Sequence, residues 1–94
     1  MNLMSKNILD LVELHAQKAR CSQYDRDVCI LAISAARDAI LMIPTNISSA
    51  SFRVLAQDVL SELHGRYYDP DGEYTSGKSV IGALLDDIRS LMDE

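Results

Sequence analysis

Residues 72–79 read GEYTSGKS and match the pattern G-x-x-x-x-G-K-[ST], whose glycine-rich loop cradles nucleotide phosphates. A working phosphate loop follows a buried strand and opens a helix, so that backbone N–H groups surround the phosphates. Here a helix and a turn come before the motif, and the carboxylates of Asp69, Asp71 and Glu73 would repel a polyphosphate. We therefore interpret the match as a turn followed by a helix cap, and we expect Lys78 in solvent.

The acidic residues of this turn alternate as calcium ligands do, which raises the possibility of a metal site. An EF-hand loop aligned on the glycine of the turn would place Tyr67 at the first ligand position. It would also place Lys78 where a bidentate glutamate belongs. The pattern favours an acidic, solvated turn over a calcium site.

The cysteines and histidines are His15, Cys21, Cys29 and His64. None of their spacings is of the C-x₂-C or H-x₃-H kind that makes a zinc site specific. We expect Cys29 in the core and His15 at its edge. No serine, cysteine or threonine lies in a recognisable nucleophile turn. The sequence thus predicts no metal, no cofactor and no catalytic residue, and we expect a protein that is not an enzyme.

The composition indicates one helical domain over residues 1–94. Apolar residues make up 48% and aromatic residues only 5%, so Leu, Ile, Val, Ala and Met must build the core. The net charge is −5, and it is uneven: residues 1–54 sum to +1 and residues 55–94 to −6. An acidic surface attracts basic proteins and repels phosphate backbones and anionic membranes, so nucleic acid is an unlikely partner.

The two cysteines come without an apparent secretory signal, and the apolar runs are too short for a transmembrane helix. This combination is typical of a protein of the reducing cytoplasm, with no membrane partner.

Four segments have the 3.6-residue period of amphipathic helices. We predict helices at about 5–20, 22–42, 52–64 and 78–92, with Ser5 as the first N-cap. Gly65 is expected to end the third helix. The joint before that helix offers several N-caps: Asn46, Ser48, Ser49 and Ser51.

The second predicted helix is apolar around most of its circumference. Its polar strip is formed by Arg26, Asp27, Ser34, Arg37 and Asp38. A helix of this kind must be covered on most sides. We therefore predict a homodimer whose interface contains Ile33, Ala35, Ala36 and Ile40.

Residues 66–75 include the turn sequence Asp-Pro-Asp-Gly flanked by tyrosines, which predicts either a short β-hairpin or an ordered turn. Exposed tyrosines are favoured contact residues, and the neighbouring carboxylates suit a basic partner. The predicted partner-binding residues are Tyr67, Tyr68, Asp69, Asp71, Glu73, Tyr74, Asp86 and Asp87.

These observations predict an all-α fold, a small four-helix bundle. The predicted function is that of a non-enzymatic protein–protein interaction module, a small acidic adaptor or inhibitory regulator that acts as a homodimer or with a protein partner. Imitation of the charge of DNA is one form this could take. The alternative is a winged-helix-like transcriptional regulator that contacts DNA phosphates through Arg53, Arg66 and Lys78.

Overall fold

The computed structural model describes residues 3–22, 26–66 and 76–91. It contains four helices, α1 (Leu3–Arg20), α2 (Arg26–Leu41), α3 (Ser49–Arg66) and α4 (Ser76–Arg89), and the described ranges hold no strand. The predicted all-α bundle of four helices is confirmed. Of the segment for which we predicted a hairpin or an ordered turn, only Arg66 is described, as the last residue of α3.

All four helices contact one another, but not equally. α2 packs most extensively against α1 and α4, and α3 packs most extensively against α4. α3 and α4 are antiparallel, because Lys78 near the start of α4 bonds His64 near the end of α3. At the other end, Nη1 of Arg53 donates a 2.6 Å hydrogen bond to the carbonyl oxygen of Leu91. The helices consecutive in the chain, α2 and α3, share the smallest contact.

The core lies where the apolar stripes of the four helices meet. Since all six pairs of helices contribute, the stripes interdigitate in a single cluster. Its buried apolar members are Met4, Ile8, Val12, Ala19, Cys29, Ala32, Ile33, Ala36, Ile40, Ile43, Phe52, Ala56, Leu60, Ile81, Leu84, Leu85 and Ile88. The predicted core positions of Cys29 and His15 are both confirmed, since both residues are buried.

Among the candidate caps, Ser48 is the N-cap of α3, which begins at Ser49. Its Oγ accepts a hydrogen bond from the backbone N–H of Ser51 at 3.1 Å, and its carbonyl oxygen accepts one from Phe52 at 2.9 Å. The first contact satisfies an N–H group that has no partner within the helix, and the second is the first backbone hydrogen bond of the helix. The cap fixes where the chain leaves the joint and enters α3.

The two residues predicted to mark the ends of helices, Ser5 and Gly65, do not mark them. Ser5 is buried inside the first turn of α1, which begins at Leu3, so Ser5 is not the N-cap. Gly65 keeps a helical backbone inside the last turn of α3 and does not end the helix. The Arg66 side chain pairs with Glu62 one turn earlier at 2.7 Å, a spacing that favours one further helical residue.

Candidate interaction surface

One side of α2 packs into the core, and the opposite side carries large apolar side chains in solvent. The exposed fraction is 66% for Leu31, 54% for Leu41 and 85% for Met42, which follows directly on the helix. Because 3.6 residues make a turn, these side chains fall on one side of the helix together with Asp27, Ser34 and Asp38. We call these six residues the outer face of α2.

The predicted dimer-interface residues lie on the other side of α2. Ile33, Ala36 and Ile40 are buried against the other helices of the protomer, and Ala35 is half-buried. Ile33, Ala36 and Ile40 are therefore not available to a second chain, because the other helices of the same protomer already cover them. The homodimer itself stays a prediction, and any contact through α2 must use its outer face.

The carboxylates of the outer face lie on either side of Leu31. Asp27 lies one turn before Leu31, and Asp38 lies two turns after it. Within the described parts of the chain, neither aspartate takes part in a hydrogen bond or an ion pair. The surface thus combines uncovered apolar area with two negative charges about 16 Å apart, from a rise of 1.5 Å per residue over eleven residues.

A second apolar area lies on the first turns of α3. Ala50, Ser51, Val54 and Leu55 border an open, shallow depression of about 410 Å³. Val54 and Leu55 are both exposed. The residues that border this area carry no charge.

Lys78, the lysine of the phosphate-loop motif, is not in solvent as expected. It is 3% exposed, and its Nζ donates hydrogen bonds to Nδ1 (3.1 Å) and to the carbonyl oxygen (3.3 Å) of His64. The second bond satisfies a carbonyl at the C-terminal end of α3, where a positive charge is also favoured by the helix dipole. In a phosphate loop this lysine would reach the β- and γ-phosphates. Here the ammonium group joins α3 to α4.

The imidazole of His64 is held in its neutral form by these surroundings. Burial lowers the pKa of His64 below its ordinary value, the positive charges of Lys78 and Arg89 lower it further, and Asp86 partly offsets them. A neutral ring can accept the hydrogen bond from Lys78 at Nδ1, whereas an imidazolium ring cannot. The junction therefore depends on His64 staying unprotonated.

An open groove of about 490 Å³ runs beside this junction, between α3 and α4. Ser61 and His64 border it on one side, and Asp86 and Arg89 border it on the other. The Asp86 carboxylate lies 3.8 Å from the Arg89 guanidinium, and both side chains are more than half exposed. Such a pair contributes little to stability. Asp86 is therefore exposed, and its contact with a partner stays a prediction.

Asp87, the other predicted contact residue on α4, has an intramolecular partner instead. Its Oδ2 accepts a 2.6 Å hydrogen bond from Nε2 of the buried His15 on α1. The bond fixes the imidazole orientation and joins α1 to α4. The remaining predicted contact residues, Tyr67, Tyr68, Asp69, Asp71, Glu73 and Tyr74, lie outside the described ranges.

The described residues do not contain a group of three or more histidine, cysteine, aspartate or glutamate side chains placed to hold a metal ion. Cys21 and Cys29 are free thiols, the first exposed and the second buried. None of the described helices combines the length and apolar character needed to cross a membrane. Comparison with protein-family models, with curated protein sequences and with solved structures found no match.

Proposed function

We propose that this protein is a non-enzymatic protein–protein interaction module that acts as a small adaptor or inhibitory regulator. The observation that carries the proposal is the uncovered apolar side of α2. Single exposed apolar residues are normal on monomeric proteins, but a contiguous apolar area marks an interaction site. Here Leu31 and, two to three turns later, Leu41 and Met42 are exposed on the same side, with Ser34 and Asp38 between them. A methionine adds a side chain that adapts to differently shaped partners.

The outer face of α2 can serve either a homodimer or a complex with another protein. The net charge of −5 favours a basic partner, because charge complementarity steers association. The free thiols of Cys21 and Cys29 fit a location in the cytoplasm, where thiols stay reduced.

The contacts of two cations weigh against the DNA-binding alternative. Arg53 donates to the Leu91 carbonyl and Lys78 is buried against His64, so both side chains are engaged within the protein. Arg66, the third predicted phosphate contact, pairs with Glu62 on the surface, where its side chain is 68% exposed.

The test compares Leu31→Asp with Leu14→Asp, a matched substitution at a leucine of α1 that is 45% exposed. Both variants should keep the wild-type helical circular dichroism, because neither position is in the core. We expect Leu31→Asp to convert a dimer to a monomer in sedimentation velocity, or to abolish retention of the partner captured by the wild type. The Leu14→Asp variant should behave as the wild type does.

If Leu31 is a hot spot of the interface, its loss costs about 2 kcal/mol or more, which is about 30-fold in affinity. Equal masses and equal capture by both variants would refute an interaction through α2. Binding of random duplex DNA that weakens steeply with salt and survives Leu31→Asp would favour the alternative.

A further inference from the structure

We infer that the outer face of α2 binds a basic amphipathic helix of a partner protein. The inference rests on the proposed function and names the kind of partner. It is carried by two observations: the apolar side chains of Leu31, Leu41 and Met42 are exposed, and the carboxylates of Asp27 and Asp38 on the same side have no partner among the described residues.

The charges of α2 are segregated around the helix. Asp27 and Asp38 differ by eleven residues, which is close to three full turns, so both project in nearly the same direction. The basic residues Arg26 and Arg37 each precede an aspartate and therefore lie about 100° away around the helix. Arg37 borders the groove between α1 and α2, together with Ser34 at the edge of the outer face. The outer face is consequently acidic as well as apolar.

This charge pattern distinguishes between three possible binding partners of the outer face: a second copy of the chain, an anionic membrane and a basic protein. A second copy of the chain on the same face would bring four carboxylates into one apolar contact, and like charges oppose such an interface. An anionic membrane surface attracts helices whose polar border is lysine and arginine, so Asp27 and Asp38 disfavour it. A partner helix with two positive side chains satisfies the carboxylates, and its apolar side chains between and beyond those charges cover Leu31, Leu41 and Met42.

The spacing of the face also defines the partner. Two helices packed side by side match charges at equal distances along their axes, so the partner needs basic residues about eleven positions apart. It also needs large apolar residues at helical spacing, between the two basic residues to face Leu31 and beyond one of them to face Leu41 and Met42, as in helix-in-groove recognition. A helix of about 18 residues is long enough to carry this pattern.

The experiment uses the whole protein and synthetic helical peptides of 18 residues with a fluorescent label. One peptide carries two lysines eleven residues apart and a leucine stripe that runs between them and continues for one turn beyond one of them. The second carries glutamates in place of the lysines, and the third is a scrambled peptide of the first composition. Fluorescence anisotropy measures the affinity of each peptide for the wild type and for Leu31→Ala, Asp27→Asn/Asp38→Asn and Asp58→Asn, which removes an exposed carboxylate of α3.

We expect the lysine peptide to bind at least tenfold more tightly than the other two peptides. Leu31→Ala should weaken it about tenfold or more, since a central apolar contact is lost. Each neutralised aspartate should weaken it by up to about fivefold, as solvent-exposed ion pairs do, and added salt should reduce this difference. Asp58→Asn should bind as the wild type does.

The other outcomes overturn the inference in different ways. Equal, Leu31-dependent binding of the lysine and glutamate peptides would refute the basic partner and leave the interaction function standing. A doubled mass that Leu31→Ala halves would assign the face to a second copy. Leu31-dependent cosedimentation with phosphatidylserine vesicles would assign it to a membrane. If Leu31→Ala changes no binding at all, both the inference and the proposed function fail.

Discussion

The adjacent residues Asp86 and Asp87 allow a matched test of the contact between α1 and α4. Both are aspartates inside α4, so replacing either with alanine changes helix propensity by the same amount. Only Asp87 bonds another helix: its carboxylate accepts the 2.6 Å hydrogen bond from His15, whereas Asp86 faces Arg89 on its own helix at 3.8 Å. The difference between the two variants therefore isolates the interhelical bond.

The size of the difference follows from burial. The His15 side chain is 7% exposed, so Asp87→Ala leaves a buried ring nitrogen without its partner, at a cost of about 1–3 kcal/mol. The Asp87 side chain is 46% exposed, and solvent screening places the expected loss in the lower half of that range, about 1–1.5 kcal/mol. For a domain of this size, that corresponds to a melting temperature lower by roughly 4–12 °C.

Urea unfolding followed by circular dichroism measures both variants at pH 7. Asp86→Ala should lie within about 0.5 kcal/mol of the wild type, as typical surface substitutions do. Asp87→Ala should be less stable than Asp86→Ala by about 1–1.5 kcal/mol. A double-mutant cycle with His15→Leu, whose side chain cannot hydrogen-bond, should then give a coupling energy of about 1 kcal/mol. Equal stabilities of the two alanine variants would refute the structural role of the bond.

Three further predictions concern the other contacts described above. Folding lowers the pKa of His64 below its ordinary value of about 6.5, so the unfolded chain takes up a proton at this residue at a higher pH than the folded chain does. The free energy of unfolding should therefore decrease as the pH falls below about 6.5. Urea titrations between pH 7 and 5 should show this decrease in the wild type and a smaller decrease in His64→Gln. Removal of the α3 cap by Ser48→Ala should cost about 1 kcal/mol, measured against a Thr45→Ala control in the same joint that should cost almost nothing. Ile33→Ala should destabilise the protein by about 2–5 kcal/mol and Leu31→Ala by less than about 0.5 kcal/mol, and similar values for the two would contradict the burial of one side of α2.

The helices were predictable from the sequence because their apolar positions recur with the period of a helix. The residues at which the helices begin and end were harder to predict. Ser5 has the side chain of a cap, yet it lies on the same stripe as Ile8 and Val12, and the packing of that stripe extends α1 past it. Gly65 can end a helix but does not have to, and the contacts of the preceding turn decide which occurs.

Lys78 shows how residue type can conceal position. It lies three and seven residues before Ile81 and Leu85, on the buried stripe of α4, so its burial was indicated by the spacing. A lysine is almost never fully buried unless it is paired, which favoured the solvated interpretation. The missing information was the partner: His64 lies fourteen residues earlier in the chain, and only the antiparallel packing of α3 on α4 brings them together. Asp87 and His15 show the same limit at a separation of 72 residues.

For α2, the apolar period alone did not distinguish the core side from the outer side, because both sides carry large apolar residues. The polar residues did carry that signal, since Asp27, Ser34 and Asp38 of the polar strip lie on the outer face with Leu31. The structure assigns Ile33 to the core and Leu31 to the surface, although they are two positions apart. This assignment separates stability from binding. Replacing Ile33 should unfold the protein whatever its function, whereas replacing Leu31 should leave folding intact and change only what the protein binds. A Leu31 variant with full stability and unchanged binding would therefore count directly against an interaction role for α2.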